Sequence, residues 1–459
     1  MFTGSSVRCV LEILERRLFL SVVQTAGAPD PAFGAYGAVL TRLSARPEYS
    51  DDAAGVLVQS DGKILVVGTA NVPHSAVKDQ SQAALVRYDS NGTLDTTFGP
   101  KSDGIVLESL FPHLPCGLSG VTQLPNGDLI ALGFTATKDT PKGYQNDIAL
   151  AEFDTNGLPI TAFGTDGVQT ISFGSLNSFA SIFNVQSDGD ILIGGLTTMG
   201  AGVTQLAIRK LTPQGAVIPG STMSINVTPP RRHGAGGQEI PDTVSVLPDG
   251  KFLVAGFANK GGTSLLPRGS IFLSRYTAAG AVDPTFHDGT PELLPHIGKY
   301  LNSIVGLQVG APDPSDPTDD ILTIIESDQV AAYDYDISTF SISGDGAVQF
   351  DNQAPCPDEV KVAASAFESD GKILIAGTSQ KDIQGKNERH FVLARYNPDL
   401  SLDGTFGTAG ITASVVTRGT AAAGIALTDG KIVLSGTSYS TQYKGLVFSV
   451  QEFDNDVTE

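Results

Sequence analysis

Basic and tyrosine side chains recur in the long segments between the predicted strands of this chain. Lysine and arginine attract anionic groups, so the set suggests contact with an anionic partner such as an acidic polysaccharide. Exposed lysines that only keep a protein soluble produce the same pattern, and both interpretations stand at this point. The candidate binding residues are Lys138, Lys142, Tyr144, Arg268, Lys381, Lys386, Arg389, Tyr439 and Tyr443.

An acidic segment at residues 313–320 is a weak candidate for calcium binding. Its carboxylates, such as Asp316 and Asp320, are ligand types that calcium prefers, but the EF-hand spacing and its terminal glutamate are missing. A solvated insertion explains the segment better. We therefore expect no bound cofactor, with calcium as the weak alternative.

Other chemical motifs are absent from the sequence. The glycine-rich basic stretch at residues 231–237 lacks the lysine and serine or threonine that end a phosphate-binding loop, and flexibility explains it better. The six histidines are scattered, and no nucleophile elbow of the G-x-S-x-G type occurs. Catalytic groups could still converge from distant parts of the chain, because geometry and not sequence order defines such a site.

The elements that must position these side chains are repeated. A hydrophobic strand, a turn such as Ser60-Asp61-Gly62-Lys63 and a second hydrophobic strand recur about every 60 residues, with one copy near Asp320 decayed. A second marker, of the type Asp-x-Thr-Phe-Gly, follows the same period. The turn glycines are Gly62, Gly127, Gly189, Gly250, Gly371 and Gly430.

One period predicts four strands, for example near residues 104–107, 121–124, 129–132 and 148–153. Asn-Gly and Asp-Gly turns are strong hairpin signals, and the consecutive apolar residues of the middle strands indicate cover on both faces. The last strand ends in a charge followed by a large residue, as in Arg87-Tyr88, which suggests a solvated edge. We predict an all-β fold: a seven-bladed β-propeller of four-stranded antiparallel blades, with a short N-terminal helix.

The predicted strand order sends short turns to one face of the ring and long loops to the other. Binding sites tend to lie on long loops that a rigid scaffold holds. The candidate basic and tyrosine residues all fall in or beside these loops, so the sequence predicts that this long-loop face is the binding face.

Composition limits the function classes. A net charge of -20 argues against nucleic acid as a partner, since phosphate binding needs a basic surface. The three cysteines, Cys9, Cys116 and Cys356, form no zinc motif and predict no disulfide framework. No apolar run is long enough to span a membrane as a helix, and we expect a monomer.

The first 28 residues differ from the rest. Apolar residues from Val7 to Leu18 fall at helical spacing, and the small residues Ala26-Gly27-Ala28 suit a cleavage site. A docked N-terminal helix is the alternative to an export signal. We predict a targeting or amphipathic segment at 1–28, a propeller at 29–454 and a tail at 455–459, in a protein that is secreted or displayed on the cell surface.

Two stretches carry a family resemblance. The marker at Asp95-Thr-Thr-Phe-Gly99 and the strand that follows Ser60-Asp61-Gly62 resemble the delta-60 repeat of large bacterial proteins, over roughly residues 30 to 454. The segment Leu11 to Ser21 resembles the LEPR-XLL type of N-terminal segment, although its proline is absent here. The resemblance implies export or surface display and brings no catalytic residues.

These observations predict a non-catalytic binding or scaffold module at the bacterial cell surface, whose long-loop face meets an envelope polysaccharide or protein. One alternative is a propeller hydrolase or lyase that acts on glycans in the central pocket, and another is a structural coat subunit. Acidic, histidine or tyrosine side chains at the channel mouth would favour the enzyme, whereas glycine, alanine and valine there would favour the scaffold.

Overall fold

The repeated turns are tight hairpins whose glycines adopt left-handed backbone angles. Gly62 has φ 81° and Gly371 has φ 86°, which confirms the predicted turn geometry. In the first turn the amide of Gln59 donates to the carbonyl of Lys63 at 2.8 Å. The Asp61 carboxylate accepts the Lys63 amide at 3.1 Å. The short side chain and the glycine together close each hairpin locally.

The described part of the chain is almost entirely β-structure, with one 3₁₀ turn at His287–Gly289. This computed structural model describes residues 25–44, 49–72, 80–110, 114–140, 143–173, 178–186, 188–198, 204–225, 239–247, 249–259, 269–279, 281–290, 292–294, 302–309, 322–331, 334–343, 345–357, 360–379, 389–414, 419–428 and 430–456.

The strands form seven four-stranded antiparallel sheets, which we number in chain order. Sheet 1 contains β2 (Asp51–Val58), β3 (Ile64–Val72), β4 (Gln80–Tyr88) and β5 (Ile105–Glu108). Sheet 2 contains β6 (Cys116–Gln123), β7 (Leu129–Thr140), β8 (Gly143–Phe153) and β9 (Val168–Ile171). Sheet 3 contains β10 (Ser178–Val185), β11 (Ile191–Thr198), β12 (Thr204–Leu211) and β13 (Met223–Ile225).

Sheets 4 to 7 repeat the arrangement, including the copy that looked decayed in sequence. Sheet 4 contains β14 (Glu239–Val246), β15 (Phe252–Asn259), β16 (Gly269–Tyr276) and β17 (Glu292–Leu293). Sheet 5 contains β18 (Asn302–Val309), β19 (Leu322–Ala331), β20 (Asp334–Ile342) and β21 (Val348–Pro355). Sheet 6 contains β22 (Val360–Phe367), β23 (Ile373–Ser379), β24 (Phe391–Tyr396) and β25 (Ile411–Ala413). Sheet 7 contains β26 (Gly419–Thr428), β27 (Lys431–Ser440), β28 (Gly445–Asp454) and β1 (Ala38–Thr41).

Each sheet is completed by a strand that the sequence predicts as the first strand of the next repeat. The sequence predicts that residues 104–107 begin a repeat, whereas β5 pairs with β4 as the outermost strand of sheet 1, with Leu85 opposite Val106. The marker segment after β4 turns the chain back, so that β5 runs antiparallel beside it. The chain then crosses to the first strand of the next sheet.

Successive sheets contact one another around a closed circuit. The first strand of each sheet contacts the preceding sheet, and β2 of sheet 1 contacts β26 and β27 of sheet 7. Threonine hydroxyls add hydrogen bonds across two of these boundaries. The Thr378 hydroxyl accepts the Ala422 amide at 2.8 Å, and the Thr437 hydroxyl accepts the Ala53 amide at 3.1 Å.

The core lies between adjacent sheets. Every residue of β23 is buried, and Leu65, Val66 and Val67 of β3 are fully buried. This confirms that the middle strands are covered on both faces. The ring of Phe98, from the marker segment of sheet 1, lies in one cluster with Leu85 of its own sheet and with residues of sheet 2, so the markers fill the space between sheets.

Four charged residues at the ends of the third strands, Arg87, Arg275, Arg395 and Glu452, are buried and not solvated as the sequence suggests. Glu152 and Lys210, at the same position in sheets 2 and 3, are partly buried. The guanidinium Nε of Arg395 lies 2.9 Å from Asp403 Oδ2, and its carbon lies 4.7 Å above the centre of the Phe406 ring. Nη1 of the same arginine donates to the Asn455 carbonyl of sheet 7 at 2.6 Å. The same arginine, aspartate and phenylalanine arrangement occurs in sheet 1 (Arg87, Asp95, Phe98) and sheet 4 (Arg275, Asp283, Phe286).

Each first strand contains a β-bulge at the same level of the ring. In sheet 6 the bulge falls at Ala363, and the partner strand has Gly377 opposite Val362. A Cβ at Gly377 would collide with the Lys361 backbone carbonyl. Glycine is therefore required because the bulged strand approaches its neighbour closely.

The predicted N-terminal helix lies outside the described residues, which begin at Thr25. Gly27 donates to the Asp454 carbonyl at 2.6 Å, and Asp454 donates to the Ala28 carbonyl at 2.8 Å, so residues 25–28 lie against sheet 7. Within the described ranges, no helix is long and apolar enough to cross a membrane. Cys116 and Cys356 are both buried free thiols.

Candidate functional site

The long-loop face is the side of the ring where the first strands begin and where the second and third strands of each sheet are joined. The structure describes five of the nine candidate residues there. Lys138 is exposed in sheet 2, and Arg389 is exposed just before β24 of sheet 6. The other four, Lys142, Arg268, Lys381 and Lys386, lie outside the described residues.

The tyrosines fall in two places on this face. Tyr144 pairs with Asp139 in the hairpin of sheet 2. Tyr439, which is 37% exposed, and Tyr443 lie in or beside the hairpin that joins β27 to β28 of sheet 7. Sheets 6 and 7 are neighbours, so the structure brings Arg389 and the two sheet 7 tyrosines into one sector, whereas Lys138 and Tyr144 belong to another.

Arg42 completes the sheet 7 part of this sector, although no motif in the sequence marks it. It follows β1 and its guanidinium carbon lies 5.9 Å from the centre of the Tyr443 ring. This distance allows a cation–π contact that holds the half-buried tyrosine. Arg42 also acts on the carboxylate of Asp51 through its charge.

Asp51 is a buried anchor at the start of β2. Its carboxylate accepts the Leu43 amide at 2.8 Å and the Ser44 amide and hydroxyl at 3.1 Å and 3.2 Å. Burial raises the pKa of the Asp51 carboxyl, and these hydrogen bonds and the charge of Arg42 oppose the rise. Asp51 therefore fastens the segment that crosses from sheet 7 to sheet 1.

Asp52, the second residue of β2, is exposed at the surface. The Ser50 hydroxyl donates to Asp52 Oδ2 at 3.3 Å, and Asn71 fixes Ser50 by donating to its carbonyl at 2.8 Å. The burial of part of this carboxyl raises the pKa of Asp52. Two adjacent aspartates thus have different environments, one enclosed and one open to a ligand.

Lys361 in β22 of sheet 6 corresponds to Asp52 in β2 of sheet 1. Each lies two residues before the bulge residue of its strand. The Lys361 side chain is exposed. We define the central sector as Asp52 of sheet 1, Arg42, Tyr439 and Tyr443 of sheet 7, and Lys361, Arg389 and His390 of sheet 6. It combines an open carboxyl, two tyrosines, an imidazole and three cations.

The first strands of sheets 1 and 2 have small residues at their bulges. Ala54 and Gly55 lie there in sheet 1, and Ser119 and Gly120 in sheet 2. A Cβ at Gly120 would meet no atom within 4 Å. The first strands of sheets 1 and 2 therefore carry no bulky side chain at their bulges.

The described residues contain no group of three or more histidine, cysteine, aspartate or glutamate side chains that could hold a metal ion. The acidic segment 313–320, the weak calcium candidate, lies outside the described residues. The glycine-rich basic segment at 231–237 also lies outside them.

Three stretches of the chain are similar to a known protein family. A family model described as "Domain of unknown function (DUF5122) beta-propeller" matches residues 59–98, 186–217 and 368–406. No curated protein is similar enough in sequence to count as a match.

Several solved structures are similar to this chain at low sequence identity. The polysaccharide lyase Uly1 is 12% identical with a TM-score of 0.45, covering 93% of this chain and 92% of its own. An ulvan lyase is 10% identical with a TM-score of 0.47, covering 89% and 95%. An α-L-arabinofuranosidase from Fusarium graminearum is 12% identical with a TM-score of 0.41, covering 75% and 92%.

These neighbours contradict the prediction of a non-catalytic binding or scaffold module, since two are named as polysaccharide lyases and one as an α-L-arabinofuranosidase. The likeness in coordinates itself concerns the fold. The three stretches matched by the family model lie in sheets 1, 3 and 6, and each spans the hairpin of its sheet. Those in sheets 1 and 6 also include the marker segment. Together with the four-stranded antiparallel sheets, they support a β-propeller family for this chain.

Proposed function

We propose that this protein is an enzyme that cleaves glycans, and that the central sector of the long-loop face is its site. The observation that carries the proposal is the Asp52 carboxyl, which is open to a ligand while its partial burial raises its pKa. A carboxyl that keeps its proton nearer to neutral pH can protonate the leaving oxygen of a glycosidic bond.

The surroundings of Asp52 fit this role. Ser50 holds the carboxyl in place, and Asn71 holds Ser50. Asp51, beside it, is enclosed by amide donors and anchors the backbone. The two carboxyls therefore have separate roles set by their environments, one structural and one chemical.

The cations of the sector favour an acidic glycan. Arg42, Lys361 and Arg389 belong to the same three neighbouring sheets as Asp52, on a protein whose net charge is -20. A local concentration of positive charge attracts carboxylated or sulfated sugars. Tyr443, held by Arg42, is a candidate base for a lyase that removes a proton beside a uronic acid carboxylate.

We further infer that the seven sheets are the blades of one closed seven-bladed propeller. The circuit of contacts between neighbouring sheets, closed by β26 against β2, supports this arrangement. A secreted or surface location suits an enzyme for extracellular glycans, and it stays part of the proposal together with the delta-60 assignment of the repeats.

Activity on a panel of acidic and neutral polysaccharides tests the proposal, with reducing ends measured for hydrolysis and ultraviolet absorbance of unsaturated products measured for elimination. Asp52→Asn should lower the rate about 100-fold, because it removes the proton that the carboxyl supplies. Asp166→Asn is the matched control, since Asp166 is exposed on the opposite face and asparagine tolerates its φ of 52°. Full activity of Asp52→Asn would exclude Asp52, and a wild-type protein inactive on the whole panel would refute the function.

A further inference from the structure

His287 occupies a position where other sheets have glycine. In four sheets the phenylalanine of the marker is followed by a glycine with left-handed φ, because a Cβ there would collide with a backbone carbonyl of the following segment. Sheet 4 instead has His287, with φ 44°. The four glycines are Gly34, Gly99, Gly164 and Gly407.

The backbone around this histidine is strained. His287, Asp288 and Gly289 have φ values of 44°, 52° and 70°, three left-handed residues in succession. Two of them carry side chains that disfavour this region, and such strain persists where the surroundings hold the segment in place. The His287 amide donates to the Asp345 carbonyl of sheet 5 at 2.7 Å, which fixes the segment from the neighbouring sheet.

The strained segment places three reactive groups in a row. His287 Nε2 lies 2.5 Å from Glu292 Oε2, and His287 Nδ1 lies 3.0 Å from the Thr290 hydroxyl. The carboxylate accepts a hydrogen bond from the Nε2–H group. In the neutral ring Nδ1 is therefore the unprotonated nitrogen, which can accept a hydrogen bond from the Thr290 hydroxyl. The Thr290 hydroxyl has a second acceptor, the His287 carbonyl, at 2.8 Å.

We propose that Thr290, His287 and Glu292 form a nucleophilic site for acyl esters. A hydroxyl, a base within hydrogen-bond reach and a carboxylate that orients the base are the parts that nucleophilic catalysis needs. The His287 and Thr290 side chains are exposed, whereas Glu292 is 23% exposed and lies behind the ring. The site is on the short-turn face, opposite the central sector.

The reaction has two balanced halves. The Thr290 oxygen attacks the ester carbonyl while its proton passes to His287 Nδ1, and the ester C–O bond then breaks as the leaving alkoxide takes that proton. A water molecule next attacks the acyl-threonine in the same way, which releases the carboxylic acid and restores the hydroxyl. Glu292 is a positioning residue that stabilises the imidazolium in both halves.

The surroundings indicate the class of ester. The site lies at the surface beside the exposed carboxylates of Asp288 and Asp345. Negative charge here disfavours anionic substrates, so the site suits small neutral acyl groups such as acetyl esters, including those carried by sugars.

Hydrolysis of p-nitrophenyl acetate by the full-length protein tests the proposal, with mass spectrometry of the trapped protein. We expect an acetyl group on Thr290, retained turnover in Thr290→Ser, and a loss on the order of 100-fold in Thr290→Ala. His287→Gly should lose activity equally while folding well, because glycine is the residue that other sheets have. Glu292→Gln should lower the rate and move the pH–rate profile to lower pH.

Equal rates in wild type, Thr290→Ala and His287→Gly, or acetylation only at other residues, would overturn the proposal. Asp166→Asn is the matched control, because this exposed aspartate precedes β9 of sheet 2 and belongs to neither proposed site. It should leave ester hydrolysis unchanged. Ester hydrolysis and glycan cleavage are measured separately, so the two proposals succeed or fail separately.

Discussion

Glu452 holds an unusual position in sheet 7, and its ionisation should govern how firmly this sheet is held. It stands where sheets 1, 4 and 6 have the buried arginines Arg87, Arg275 and Arg395. Its neighbours include the carboxylates of Asp30 and Asp454, each 2.5 Å from the ammonium group of Lys431. Three carboxyls thus share one cation, and burial together with the hydrogen bond to Asp30 raises the pKa of Glu452 to about 7.

The sign of the effect follows from proton binding. Between an ordinary pKa of 4.5 and about 7, folded Glu452 keeps a proton that the unfolded chain has lost, so the free energy of unfolding falls as the pH rises. Complete linkage over this interval is about 3 kcal/mol. Since the Lys431 side chain is 30% exposed, water screens the group, and we expect about 2 kcal/mol.

Glu452→Gln isolates this contribution, because glutamine resembles the protonated acid and does not titrate. Urea unfolding of both proteins at about pH 5 and about pH 8 gives the comparison. The stability of wild type relative to the variant should fall by about 2 kcal/mol between the two pH values. A difference that stays constant within error would refute the reasoning, whatever its size at one pH.

Three further changes test the scaffold. Gly377→Ala should lower the free energy of unfolding by about 1–3 kcal/mol because its Cβ meets the backbone of β22, and Gly404→Ala, which meets no atom within 4 Å, should melt like wild type in thermal unfolding by circular dichroism. Arg275→Met should lower the free energy of unfolding by about 3 kcal/mol in urea unfolding, since it removes one of the two cations that neutralise the buried Asp283 carboxylate. An unchanged free energy of unfolding would show that Lys251 alone neutralises this carboxylate. Burial opposes ionisation of Asp283, but hydrogen bonds from Thr285 and Lys251 and the charge of Arg275 lower its pKa, so this stabilisation should be lost in acid titration only as the pH falls below about 4. Gly62→Val should cost about 1–3 kcal/mol because φ is 81° there, and an unchanged melting temperature would contradict the turn geometry.

Local signals in the sequence predicted the hairpins and the buried middle strands well. Turn type depends on a few adjacent residues, as at Asp61-Gly62, and cover on both faces leaves consecutive apolar residues, as in Ile373 to Ala376. The strand that completes each sheet is harder to assign from the sequence. β5, for example, lies between the third strand of one sheet and the first strand of the next, and its apolar residues suit pairing with either. A spacing of eight residues between Arg87 and Asp95, repeated at Arg395 and Asp403, was the signal that ties the marker to the third strand.

The candidate site was predicted only in part. The sequence placed Arg389, Tyr439 and Tyr443 on the long-loop face, but Arg42 and Asp52 carried no motif and depend on the path of the chain from sheet 7 to sheet 1. The strained histidine also escaped notice. Comparing the marker copies shows His287 in place of glycine, yet its contact with Glu292 requires the turn geometry that three left-handed residues create.

The pairing of β1 with β28 has a consequence for biosynthesis. Ala38 lies opposite Gln451, so β1 leaves the ribosome long before its partner strand β28 has been made. Until translation reaches that point, the edge of β1 and the open side of the growing ring expose backbone groups that can join another chain. A slow pause in synthesis before β28 should therefore favour exchange of strands between nascent copies, and co-expression of a free β28 peptide should capture the waiting strand.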